Sequence, residues 1–204
     1  MVVGSALALV QSNVKRMMAY SSINHAGFIL LGVEAATAAG TEAALYYLAA
    51  YAVIVAGTFG VITIVAGRND LKTGIDDFAG LSRRRAALAL GFSVLLLAQA
   101  GVPFTSGFFA KFGVIAAAVD AHSYWLAIIA MTTAVVSAFV YLRVVVAMYM
   151  ADPEDAEQPK EVLPFSAGLG VAVAVGITVL IGVLPELVTE LTEKAVPVLV
   201  AVGQ

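Results

Sequence analysis

The sequence predicts an all-α polytopic membrane protein, and three observations carry that reading. Of its 204 residues, 61% are hydrophobic and only 12% charged, with a mean hydropathy of +0.97; soluble domains carry about 25% charged residues. Apolar runs poor in Pro and Gly exceed the roughly eighteen residues that a helix needs to cross a bilayer. None of them shows the period-2 alternation of barrel strands.

A single transmembrane domain is expected over residues 1–204, and its spans follow in order. Residues 1–10 are apolar and come before Lys15 and Arg16, the reverse of the charge order in a secretory signal. They read as the partial tail of a span, so that the chain is expected to be a fragment, with an uncleaved signal-like start as the alternative. Spans are then expected at 17–33, 43–66, 86–119, 124–150 and 164–184. The third run poses a length problem. As one straight helix it would measure about 51 Å, against a hydrocarbon core of about 30 Å, yet two spans would need about 40 residues plus a turn. One span of two half-helices fits, broken at 101–107, where Gly101, Pro103 and Gly107 stand. Membranes tolerate such irregular backbone only where it is buried or lines a cavity.

Loop charges support one crossing there. Lys15, Arg16, Arg68, Lys72, Arg83, Arg84, Arg85, Arg143 and Lys160 then fall on one face, while loops 34–42 and 120–123 carry no Lys or Arg. Positive-inside bias makes the basic face cytoplasmic; the acidic stretch 152–161 weakens the pattern at one point. In the tail 185–204, Glu186, Glu190, Glu193 and Lys194 interleave with Leu187 and Leu191, the pattern of a surface-lying amphipathic helix.

Lys111 is the most informative residue. No acidic residue lies between Ala86 and Val119, and a lone ammonium at bilayer depth costs roughly 2.5–3.5 kcal/mol, so it marks an ion or proton path. The alternative, snorkelling to an interface, conflicts with its position about 8–9 Å into the second half-helix. Burial, with a helix N-terminus nearby, suits an amine that loses and regains a proton. His25 is the second candidate for proton transfer, with a packing role as its alternative.

Polar stripes run at helical spacing. Ser21 and His25 share one face, beside Tyr20 and Asn24. Tyr47, Tyr51 and Thr58 share another, and Thr133, Ser137 and Tyr141 a third. Each stripe read alone is equally interhelical glue, worth about 0.6 kcal/mol per bond; together with the lysine they outline a hydrated path. The last span carries Thr178 and is otherwise apolar, as at a lipid-facing edge. Glu34 reads as a solvated boundary residue, Arg143 as an interface anchor, and Lys15 with Arg16 as topology determinants.

Composition also excludes functions. A net charge of −3 argues against nucleic acid as a partner. Without cysteine the chain cannot ligate an iron–sulfur cluster through thiolates, attach haem through a CxxCH pair or form a disulfide. Val173 stands where a dinucleotide fingerprint starting at Gly168-Leu169-Gly170 needs glycine. No cofactor, metal or redox active site is expected in this chain.

Two stretches carry a resemblance. Gln11-Ser12-Asn13-Val14-Lys15-Arg16, continuing through Ser21-Ser22-Ile23-Asn24-His25-Ala26-Gly27-Phe28, resembles the signature of the proton-translocating membrane subunits of bacterial NADH–quinone oxidoreductase (complex I). Gly101-Val102-Pro103-Phe104-Thr105-Ser106-Gly107-Phe108-Phe109-Ala110-Lys111-Phe112 resembles a second motif of that family, as do Tyr47 to Tyr51 and Phe78-Ala79-Gly80-Leu81. The subunit N branch is the most similar, since Asn13 stands where its antiporter-like sisters carry Asp. The resemblance implies an antiporter-like bundle of two inverted five-helix repeats, with this chain holding most of the second repeat and the C-terminal helix. It implies that Lys111 is the lysine of the broken helix and His25 the histidine of the tenth. It also implies a multi-pass protein of the bacterial inner membrane whose partners are other membrane-arm and peripheral-arm subunits, the lipid bilayer and protons. NAD, FMN, iron–sulfur clusters and quinone would belong to other subunits. The rival readings are a subunit of a multi-subunit cation/proton antiporter and a non-conducting membrane scaffold.

Overall fold

The computed structural model describes residues 1–67, 72–151 and 165–202, with 197–202 as helical backbone alone. Arg68, Lys160, the acidic stretch 152–161 and the end of the tail lie outside the described residues. Among the described residues the chain is helical, and its one β-type contact is an isolated bridge between Asn13 and Gly74.

The order is α1 (Val2–Leu9), α2 (Val14–Glu34), α3 (Ala38–Ala66), a short 3-10 turn (Asp76–Phe78), α4 (Leu81–Arg84), α5 (Ala86–Ala100), α6 (Ser106–Asp120), α7 (Tyr124–Met150), α8 (Phe165–Val183) and α9 (Glu186–Val202). Two starts fall earlier than hydropathy places them. Asn13 accepts from the Arg16 amide at 3.0 Å and starts α2 at Val14, so Lys15 and Arg16 belong to the first helical turn. Thr37 accepts from the Gly40 amide at 3.0 Å and starts α3 at Ala38. In both cases a polar side chain satisfies a backbone donor that the helix leaves open, and hydropathy does not register it. α3, α7 and α8 are long and apolar enough to cross a membrane; α5 is apolar but shorter.

α3 is the central element, packing against α2, α5, α6, α8 and α9, while α7 closes the bundle against α1 and α5. Large apolar side chains point outward, with Trp125, Phe165, Met150 and Val135 all exposed, whereas Asn24, His25, Thr58, Gln99, Ser106 and Lys111 are buried. Polar groups inside and apolar groups outside is the arrangement expected when the solvent is lipid.

A well-packed loop closes the basic end. Phe78 is buried against Phe92 with ring centroids 5.6 Å apart, Arg84 donates to the carbonyls of Asp77 and Ala79 at 3.1 and 2.8 Å, and Ser82 donates to the Met148 carbonyl at 2.9 Å. Arg143 differs from its expected role as an interface anchor. Its guanidinium reaches across to the end of α1 and donates at 3.1 Å to the carbonyl of Leu9, which the terminating helix leaves without a partner, and to that of Gln11 just beyond it. At the other end the Ser123 hydroxyl donates to Glu34 at 3.0 Å. The tail helix α9 also departs from a purely surface-lying role: it packs on α3, burying Thr192 and Val196.

Candidate functional site

α5 ends at Ala100 and α6 restarts at Ser106, so the irregular segment is 101–105. Gly101 takes φ +88, a left-handed conformation that ends α5 without a Cβ penalty. Gly107, expected inside the break, lies instead in the first turn of α6. A Cβ there would stand 1.8 Å from the Ala98 carbonyl oxygen, so only glycine lets the two half-helices touch backbone to backbone. Gly182 of α8 also packs against the backbone of the break, with Phe104 O and Thr105 Cα each 2.5 Å from where its Cβ would be. Pro103 is exposed, with no backbone N–H to leave unpaired.

Lys111 is buried, 6% exposed, and its ammonium reaches back across the break. Nζ donates to the Gln99 carbonyl at 2.7 Å and the Ala100 carbonyl at 3.0 Å, and lies 5.4 Å from the centroid of the Phe28 ring. The helix end that governs this amine is therefore the carbonyl end of α5, the negative pole of a helix dipole, rather than the N-terminus of its own half-helix. Among the described residues no carboxylate pairs with it. The site suits a cation held by dipoles alone, without a counterion to trap it.

The second cluster joins α2, α3 and α7. His25 Nδ1 is hydrogen-bonded to the Tyr47 hydroxyl and Nε2 to the Tyr141 hydroxyl, both at 2.8 Å, and the ring stacks on Tyr51 at 4.3 Å. Tyr141 also bonds Ser21, and Tyr51 donates to Ser22 at 2.8 Å. A neutral imidazole donates from one nitrogen and accepts at the other. With a hydroxyl on each side it can take a proton from one and pass one to the other. Ser21–Tyr141–His25–Tyr47 is thus a continuous chain of exchangeable protons.

The remaining residues expected along the path divide between a separate Asn24 group and the lysine. Asn24 donates to Ser137 at 2.7 Å, and Ser137 donates in turn to the Thr133 carbonyl at 2.8 Å, so these two residues of α7 serve Asn24 rather than His25. Thr58 accepts from Gln99 Nε2 at 2.7 Å, which ties it to the lysine, since Gln99 also supplies a carbonyl to Nζ. Gln99, Ser22 and Phe28 are participants that residue patterns missed. Gln99 had a signal, as the lone amide in an apolar run. Asn24 Oδ1, Ser106 Oγ, Tyr46 Oη and Thr178 Oγ1 are buried without a protein partner among the described residues, and such atoms favour internal hydration. No group of three or more His, Asp or Glu side chains forms a metal site among the described residues.

The family model described as NADH:quinone oxidoreductase/Mrp antiporter, TM, matches residues 1–137. Over 196 residues the chain is 44% identical to NADH-quinone oxidoreductase subunit N 1 of Herpetosiphon aurantiacus, covering 96% of this chain and 40% of that protein. It therefore spans well under half the length of that relative. Among solved structures it is similar to a chain of respiratory complex I from Thermus thermophilus, with a TM-score of 0.77 and 31% identity over 93% of this chain and 42% of the other. A chain of the Mrp complex from Dietzia sp. shares the fold, with a TM-score of 0.85 at 19% identity, covering 96% of this chain and 44% of that one.

Proposed function

Because the chain belongs to the NADH:quinone oxidoreductase/Mrp antiporter transmembrane family, we propose that it conducts protons as part of a membrane-arm subunit of respiratory NADH–quinone oxidoreductase in the bacterial inner membrane. The observation that carries this reading is the amine of Lys111, buried at a helix break and held by two carbonyl oxygens with no acidic partner. Such an amine can give up its proton without stranding a buried carboxylate. His25 and its tyrosines supply a second exchange station. NAD, FMN, iron–sulfur clusters and quinone act in other membrane-arm and peripheral-arm subunits, whose redox steps change the charge and hydration around Lys111 and drive protons outward.

A cation/proton antiporter subunit is the nearest rival, and the higher identity to the complex I chain than to the Mrp chain favours the respiratory reading. Co-purification with redox subunits rather than with small antiporter subunits separates the two. The decisive experiment is Lys111→Ala in the full-length subunit, with the intact complex in sealed vesicles. Protons moved per NADH oxidised should fall sharply. Lys111→Arg, which keeps the charge but cannot deprotonate, should fall as well. Unchanged pumping by an assembled Lys111→Ala complex would leave only a scaffold role.

A further inference from the structure

Phe28 contacts both clusters. It is fully buried, and its ring stacks on Tyr47 with centroids 6.0 Å apart and planes 16° from parallel. Tyr47 in turn holds His25 through its hydroxyl. The same ring also lies under the Lys111 ammonium, its centroid 5.4 Å from Nζ. Both hydrogen bonds of Nζ point to α5, and both imidazole nitrogens of His25 are taken by tyrosines. Among the described residues no hydrogen bond joins one cluster to the other. A phenyl ring offers no lone pair or exchangeable proton, so a proton can cross only along water.

We propose that Phe28 is a dry partition between Lys111 and the His25–Tyr47 cluster, opened when its ring swings aside and water enters. This rests on the proton-translocation reading above. The charge of Lys111 acts on the partition directly. The face of an aromatic ring attracts a cation within about 6 Å, so a protonated Lys111 holds the ring in place. Loss of that proton removes the attraction and frees the ring. Water then finds a cavity bordered by an amine and polar enough to hold it, whereas a wholly apolar cavity would stay dry. The partition thus closes behind a charged lysine and loosens beside a neutral one, which prevents free proton flow between the stations.

The test uses the full-length subunit in the intact complex, reconstituted in vesicles, with Phe28→Ala and Phe28→Leu. Passive decay of an imposed pH gradient without NADH should quicken several-fold in Phe28→Ala, and protons moved per NADH oxidised should fall. Phe28→Leu, which restores apolar volume but offers the ammonium no π face, should bring the leak back towards the parent value while pumping stays lowered. If Phe28→Ala does not assemble, Phe28→Val removes less volume and is read the same way. Parent-like leak and pumping in the assembled Ala or Val variant would overturn the partition, as would a Leu variant as leaky as the Ala variant. Lys111→Ala, measured alongside, separates the levels. If it stops pumping while the Phe28 variants change nothing, the partition alone is wrong; if it leaves pumping intact, the underlying reading fails.

Discussion

Around His25 the polar contacts come from side chains of two neighbouring helices, whereas around Lys111 they come from main-chain carbonyls at the end of one. The imidazole sits among Tyr47, Tyr51 and Tyr141, each free to rotate a hydroxyl. The ammonium depends on where α5 stops and on how closely α6 approaches it. A side-chain site should therefore fail one hydroxyl at a time, and a main-chain site all at once, through glycine.

Gly107→Ala tests the main-chain side and should have the largest effect. Its Cβ meets a carbonyl oxygen rather than a flexible side chain, so the cost should reach the upper end of the overpacking range, about 3 kcal/mol. Thermal unfolding of the purified complex and its assembly yield would register it. Normal assembly with parent-like pumping would mean that the approach of the half-helices does not set the lysine site. His25→Ala should come next, because it leaves the buried Tyr47 hydroxyl without a partner, at a cost of about 1–3 kcal/mol, takes one of the two bonds of Tyr141 and empties the space of the ring. Pumping should fall along with melting temperature. Tyr141→Phe takes a hydrogen-bond partner from both Ser21 and His25 but keeps the ring and opens no cavity, for a cost of about 1–3 kcal/mol; a loss of pumping as large as that of His25→Ala would mean that the cluster does not fail one hydroxyl at a time. Tyr51→Phe should have the smallest effect. It loses one interhelical bond to Ser22, worth about 0.6 kcal/mol, and retains the stack on His25, so pumping should stay near the parent value.

Much of the site was legible because burying a polar group in an apolar run is costly, and the few that occur stand out. Lys111 and His25 stood out in that way, and the break through the length of its run and the Gly and Pro residues within it. The Ser, Thr and Tyr stripes were visible through their spacing, but their partners were not. Ser21 and Tyr141 are 120 positions apart, and Asn24 and Ser137 are 113 apart. Thr58 shares a stripe with Tyr47 and Tyr51, yet it bonds Gln99 beside the lysine. The clamp of Arg143 on α1 and the packed loop over 72–85 carried no periodic signal, since each is built from single contacts between distant segments.

Composition and periodicity by themselves determined the helical membrane class, the break near Gly101 and the residue types able to carry a proton, because each follows from the cost of polar groups in lipid and from local backbone preference. Only the tertiary structure decided which stripes meet, that Lys111 turns towards the carbonyl end of α5, and that Phe28 touches both the amine and Tyr47. The physical reason is geometric. Spacing along a helix fixes which residues share a face, while the direction in which that face points depends on how each helix is rotated and packed against neighbours far away in the chain.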